Sequence, residues 1–251
     1  MEPQLEHRVT DSVATVVIRH PEKRNAMTAA MWGSLPPLLE DLAGDPDVRA
    51  LVLTGEGRTF CAGADISTLR GSPEEAQGLA ARAEEALAAF PKPTLAAIRG
   101  HCVGGGAQLA AACDLRFAEE GTLFGVTPAK LGIVYPASST RRLVSLVGPA
   151  TAKYLLFSGE LIDAQRALRT GLVDEVLREG ELGRRVTEFT RVLVSRSQLT
   201  QAAAKEFADG RTERDAHWAG QARGSGDTAE GVAAFLERRQ PRFGWSVPTS
   251  G

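Results

Sequence analysis

The chain has 251 residues, 43% of them hydrophobic and 24% charged, an ordinary globular composition at a size that can bury a substantial core. Its formal net charge of -2 supplies no overall basic field, which argues against a nucleic-acid or anionic-membrane partner. Cys61, Cys102 and Cys113 are an odd set of thiols without metal-ligand spacing, so they read as reduced cysteines of a cytoplasmic protein and not as a disulfide framework. The opening MEPQLEHRVTDSV has no apolar signal-peptide core, and no run approaches the roughly 20 apolar residues of a membrane span, so a soluble protein is expected.

The first strong element is the β-branched run Val13 to Ile18, a buried strand. Thr28 is a candidate N-cap for a helix reaching Leu42, with Pro36 and Pro37 implying an irregular or late start. A strand is predicted over Val48 to Leu53, a loop over Gly55 to Gly63, and an alanine- and glutamate-rich helix over Pro73 to Phe90. Thr94 to Ile98 reads as a strand that runs into GHCVGGG and the alanine-rich run Gln108 to Cys113, which puts a helix N-terminus at the glycines. Asp114 to Ala118 is a further strand, with short pairing near Leu123 and Phe124. Helices follow at Ser139 to Leu146, Pro149 to Phe157 and Ala164 to Thr170, then a short strand near Val173 to Leu177, then two or three helices ending with Thr228 to Arg239. Strands alternating with helices and then helices alone predict an α/β fold with a helical C-terminal region.

Two stretches carry the chemistry: Arg58 to Ile66 (RTFCAGADI) and Gly100 to Gln108 (GHCVGGGAQ). Both place glycine and alanine where a backbone can approach a ligand without side-chain obstruction. The second also opens a helix, whose first N–H groups have no intrahelical acceptor and whose dipole favours negative charge. Two backbone N–H groups from separate loops that meet on one oxygen form an oxyanion hole. Either segment by itself is also what a tight turn looks like. The four histidines (His7, His20, His101, His217) have no metal spacing, Gly55-Glu-Gly-Arg58 lacks the end of a P-loop, and Gly104-Gly-Gly106 is no dinucleotide fingerprint, so no metal, flavin or nicotinamide is expected.

Pro21-x-x-Arg-Asn-Ala26, Val48 to Gly55, Phe60-Cys-Ala-Gly-Ala-Asp-Ile66 and Gly104-Gly-Gly106 occur in the order of the enoyl-CoA hydratase/isomerase (crotonase) family, which the chain resembles from about Leu5 to Phe243. The resemblance implies the ClpP/crotonase-like spiral of ββα units, with residues 1–195 as the core that holds the acyl-CoA site and 196–251 as a C-terminal helical trimerisation region. It implies an acyl-CoA substrate, with coenzyme A arriving as part of that substrate and no separate cofactor, and assembly as a homotrimer or a dimer of trimers. By the same resemblance Ala64 and Gly105 would donate to the thioester oxygen, while Arg24, Ala26, Ala62, Asp65 and Ile66 would line the nucleotide part of the CoA site. Read from its own chemistry, Arg24 is equally a solvated cation and Asp65 a cap or turn residue.

The departures concern the proton-handling groups. Hydratases of this family use two glutamates, which would fall at Gln108 and Pro128, and the aspartate of dienoyl-CoA isomerases would fall at Pro136. An amide can orient water but is no carboxylate base, so efficient hydration is not expected. The run Thr127 to Tyr135 (TPAKLGIVY) is similar to methylmalonyl-CoA decarboxylase relatives, in which an enolate forms as CO₂ leaves, although those carry histidine at the position of Ala64. Tyr135 is then a group that orients a carboxylate or protonates a product, or else a core aromatic with a satisfied hydroxyl. The expectation is an acyl-CoA enzyme working through a stabilised enolate, with Ala64, Gly105, Gln108 and Tyr135 as its chemical residues. A decarboxylase-like lyase and a catalytically inert acyl-CoA-binding paralogue are the alternatives.

Overall fold

A computed structural model describes residues 2–65 and 73–248 of the chain. The runs of branched aliphatic residues become the parallel centre of a six-stranded sheet ordered β1-β2-β3-β4-β6-β9. These are β1 (Gln4–Thr10), β2 (Val13–Arg19), β3 (Ala50–Gly55), β4 (Thr94–Ile98), β6 (Leu115–Glu119) and β9 (Glu175–Leu177). A second sheet is much shorter, pairing β5 (His101–Val103) with β7 (Leu123–Gly125) and β7 with β8 (Ile162–Asp163). Isolated parallel bridges between Cys61 and Cys102 and between Met27 and Ala64 continue the line of this second sheet through two earlier turns of chain.

Each turn of the chain therefore repeats one unit: a long strand in the first sheet, a short extended piece in the second, then a helix. β2, Met27 and α1 (Ala29–Gly44) form one unit; β3, Cys61 to Ala64 and α2 (Pro73–Ala88) the next; β4, β5 and α3 (Gly105–Ala112) the third; β6, β7 and α4 (Ala137–Ser158) the fourth. This is the expected α/β spiral of ββα units. The main sheet is buried on both faces, which is why its strands read as continuous apolar runs. One face contributes Leu51, Leu53, Ala96 and Ile98 to the core that also holds Trp32, Leu35, Leu87 and Leu143. The other packs Val52, Leu95 and Phe117 against Leu182, Val186 and Phe189 of α6 (Leu182–Val194). No helix among the described residues is long and apolar enough to cross a membrane.

The structure departs from expectation at several elements. The strand β1, a polar stretch not anticipated, is an edge strand that runs antiparallel to β2 with most of its side chains exposed. Helix α1 starts neither late nor irregularly: Thr28 Oγ1 accepts from Met31 N at 3.2 Å, and the helix runs on from Ala29 through Pro36 and Pro37. Pro37 and Gly33, the residue whose carbonyl the proline leaves without a helical donor, both lie on the exposed side. The two helices expected on either side of Gly148 are both present, as the halves of α4, which meet at a kink where Gly148 is non-helical (φ 73°, ψ 164°). Beyond α5 (Ala164–Thr170), four helices and not two or three complete the described chain. After α6, the helices α7 (Gln198–Ala208) and α8 (Asp215–Ser225) share a small core of Leu199, Ala202 and Trp218, against which Trp245 packs from beyond α9 (Asp227–Glu237).

The three thiols are free and buried, and burial pushes the Cys61 thiol up to about 12. The packing around Cys61 is close enough to dictate a glycine in the next turn. A Cβ on Gly106 would stand 2.3 Å from the Cys61 carbonyl oxygen, a backbone atom that cannot swing aside. Gly106→Ala is therefore expected to destabilise the fold by about 1–3 kcal/mol, measured as a lower midpoint with an unchanged slope in denaturant unfolding.

Candidate active site

The second row of strands aims the peptides that sequence reasoning singled out. Met27 donates to the Gly63 carbonyl at 2.8 Å and accepts from the Asp65 N–H at 2.8 Å. Successive peptides of an extended chain point to opposite sides. With its neighbours' groups turned to Met27, the Ala64 N–H points away from Met27, and its nitrogen lies 3.5 Å from where a Cβ on Gly105 would sit. Cys61 N donates to His101 O at 2.9 Å and Val103 N to Cys61 O at 3.0 Å, which fixes the two glycine-containing segments against each other. Gly104, at φ 55° and ψ −117°, then turns the chain from β5 into α3. Gly105 is the first residue of that helix, where an N–H has no intrahelical acceptor. Among the described residues no backbone carbonyl accepts from Ala64 N or Gly105 N.

Both residues line a cavity of about 170 Å³. Its wall is Trp32, the Ala62–Ala64 peptides, Ala76, Gln77 and Ala80, Gly104 and Gly105, Gln108, Thr127, Pro128, Leu131 and residues 133–136. Ala62, Ala64, Gly105, Gln108 and Tyr135 are thus brought together. Pro128 and Pro136, the positions counted as those of family carboxylates, also face this cavity. Tyr135 is the one titratable side chain among the described lining residues. Two N–H groups at the edge of an apolar cavity can hold an oxygen on which negative charge develops, because a low local dielectric strengthens each contact.

Arg24, Ala26 and Asp65 stand beside this wall and not in it. Ala62 N donates to Arg24 O at 3.0 Å, and Lys23 Nζ donates to Asp65 Oδ2 at 2.7 Å, so the two segments are tied by backbone and by charge. Ala26 is buried, Arg24 is exposed with a left-handed backbone, and Ile66 lies outside the described residues. Asn25, which sequence reasoning passed over, clips this loop from within. Its Nδ2 donates to the carbonyls of Glu56 (2.9 Å) and Thr59 (2.6 Å), and its Oδ1 accepts from His20 N (2.9 Å).

Two other features were missed. Trp32 lies across the glycine turn, its Cζ2 only 2.8 Å from a Cβ built on Gly105, and its indole N–H is buried without a protein partner. Glu84, on α2, is almost fully buried behind Gln108. Gln108 Nε2 donates to Glu84 Oε2 at 3.3 Å and to Ser139 Oγ at 3.4 Å, Ser139 Oγ donates to Glu84 Oε2 at 2.5 Å, and Arg142 pairs with Glu84 Oε1. Burial raises the Glu84 carboxyl above its ordinary value, while Ser139 and Arg142 act to lower it. The helical spacing Ala80, Glu84, Leu87 carried the signal, since it sets a carboxylate among core-facing positions. The Tyr135 hydroxyl is buried, lacks a protein partner, and is shifted upward first by burial and then by the charge of Glu84.

A family profile described as Enoyl-CoA hydratase/isomerase matches residues 8–245. A crotonyl-CoA hydratase of Syntrophomonas wolfei is 34% identical over 246 residues, covering 93% of this chain and 95% of its own. An (E)-benzylidenesuccinyl-CoA hydratase of Thauera aromatica is 33% identical, covering 94% of this chain and 96% of its own. A crystal structure of an enoyl-CoA hydratase/isomerase family member superimposes with a TM-score of 0.91 at 38% identity, covering 98% of this chain and 100% of that one.

Because the Tyr135 hydroxyl has no hydrogen-bond partner among the described residues, its removal should leave the fold intact. Tyr135→Phe is expected to change the unfolding free energy by less than about 0.5 kcal/mol, against about 1 kcal/mol for a typical intramolecular hydrogen bond. A loss above about 1 kcal/mol in denaturant titration would place a structural partner on that oxygen.

Proposed function

The chain belongs to the enoyl-CoA hydratase/isomerase family, and from that membership we propose that it binds an acyl-CoA thioester with the thioester oxygen between Ala64 N and Gly105 N and stabilises the enolate formed there. The observation that carries this reading is the pairing of Met27 with Gly63 O and Asp65 N, which turns the Ala64 peptide toward the first turn of α3. The acyl group occupies the apolar cavity. Its described lining holds no Asp, Glu, His, Lys or Arg, which supports an uncharged acyl group of modest size. The two named hydratases take different acyl groups at nearly the same identity to this chain, so the acyl preference follows from the cavity and not from overall likeness.

The same lining supports poor hydration. With Gln108 and Pro128 at the counted glutamate positions, no carboxylate in the described wall can take a proton from water. Of the alternatives, decarboxylation through Tyr135 has the unpartnered hydroxyl in its favour, but an incoming carboxylate would meet no cation in that wall. Assembly as a trimer or a dimer of trimers is supported by Val232, Phe235 and Leu236 of α9, which are left exposed.

Crotonyl-CoA hydration, followed as loss of the conjugated thioester absorbance, is expected to run about 10²–10⁴ below a relative that keeps both carboxylates. A rate equal to such a relative's would mean that another group supplies the base. The oxyanion contact is tested by comparing two substitutions. Gly105→Ala and Gly105→Pro both press a Cβ on Trp32, but only proline deletes the N–H. Proline is tolerated in the first turn of a helix. With acetoacetyl-CoA as probe, the bound enolate seen by ultraviolet absorbance should fall at least about tenfold further in folded Gly105→Pro than in Gly105→Ala. Equal enolate in both variants would remove Gly105 N from the mechanism.

A further inference from the structure

Glu84 is a buried carboxylate that the enolate reading does not use, and it does not line the cavity. Among the described residues its hydrogen-bonded route to the cavity runs through Gln108, while its charge also acts on Tyr135. Gln108 is the last side chain before the cavity, and its Nε2 is turned away from it, toward Glu84 Oε2 and Ser139 Oγ. The reverse orientation would set the amide oxygen 3.3 Å from a carboxylate oxygen, two acceptors facing each other. Ser139 cannot relieve that conflict, because its hydroxyl proton is committed to Glu84. Arg142 completes the anchor from the far side, and it also reaches Glu85 at 3.3 Å. Among the described residues the Gln108 amide oxygen accepts no hydrogen bond, and it is not one of the sealed, unpartnered polar atoms, so it opens on the cavity.

We propose that Glu84 is a positioning residue: it locks Gln108 with its oxygen toward the acyl group, and thereby makes the site select acyl-CoA thioesters that carry a hydrogen-bond donor at the β-position. This rests on the acyl-CoA reading above. Gly105 and Gln108 are three residues apart on α3 and share a face, with side-chain origins about 5–6 Å apart. A thioester oxygen held at Gly105 puts the β-carbon of the acyl group near that second position. A β-hydroxyl can donate to a fixed amide oxygen, whereas a β-methylene cannot. A freely rotating amide would present oxygen or nitrogen at will and would select neither.

The test compares the affinities of 3-hydroxybutyryl-CoA, both enantiomers, and butyryl-CoA by calorimetry. Wild-type protein should favour one hydroxy enantiomer over butyryl-CoA by about three- to tenfold, the range of one net hydrogen bond. In Glu84→Gln that ratio should fall to within about twofold of unity, since one amide oxygen cannot serve Gln108, Ser139 and Arg142 together. Glu84→Asp keeps the charge facing Arg142 but withdraws the oxygens by one methylene, and should lose the ratio likewise, so a folding failure of either variant leaves the other. Gln108→Leu should match both. A ratio that survives in folded Glu84→Gln or Glu84→Asp overturns the role of Glu84, as does a wild-type protein with no preference. Failure of wild type to bind butyryl-CoA at all would instead overturn the acyl-CoA reading, and this inference with it.

Discussion

The direction of two peptide groups is the constraint on which the rest of the site depends. Met27 takes up Gly63 O and Asp65 N, and in doing so settles where the Ala64 N–H can point. The start of α3 leaves Gly105 N without a helical acceptor. Neither group needs a side chain, and the surroundings leave little room for one: Trp32 closes on Gly105, and the Cys61 carbonyl closes on Gly106. The short second sheet is what joins the two segments, through Cys61 and Cys102. Its few hydrogen bonds stand at the rim of a large apolar core, so the rigidity of the site comes from the packing of the main sheet and its helices.

This explains which parts of the molecule were legible in the sequence. Strands β3 and β4 are buried on both faces, β6 is buried at its centre and β2 is buried on one face and half-buried on the other, so all show as apolar runs, whereas β1 is an exposed edge whose residues resemble a loop. Strand β5 has three residues and exists because β7 pairs with it, which no local pattern announces. Pro37 misled because a proline's cost depends on whether the carbonyl it strands can find another donor, and Gly33 is exposed to solvent. The helix count beyond α5 was short because α7 and α8 present only a few apolar residues to a small core of their own.

The site divides in the same way. Close backbone approach leaves a mark in the sequence, since it excludes large residues nearby, so the small residues Ala62, Ala64 and Gly105, which the structure brings to one cavity wall, stood out in the sequence. Trp32 and Glu84 arrive from α1 and α2, where one is an ordinary core aromatic and the other an ordinary helix glutamate. Their roles come from what the spiral stacks against them, Gly105 in one case and Gln108 with Ser139 in the other. Asn25 is similar: its three contacts are to backbone groups of His20, Glu56 and Thr59, and none of these is implied by its neighbours in the chain.

The arrangement around Gln108 shows how a site can keep an acceptor while giving up a base. A carboxylate at that position would offer oxygen to a substrate and could also take its proton. The amide offers oxygen alone, and Glu84, one hydrogen bond behind it, holds the negative charge outside the cavity wall. That displacement matters for enolate chemistry. A carboxylate about 5 Å from a developing enolate oxygen would oppose it by about 3 kcal/mol at an effective dielectric near 20. With that charge set further back and paired to Arg142, less opposes an anionic oxygen at the position proposed for it between Ala64 N and Gly105 N. What is lost is general-base assistance at the β-carbon. A site of this kind therefore suits steps in which the enolate's stability, and not the removal of a proton from water, limits the rate.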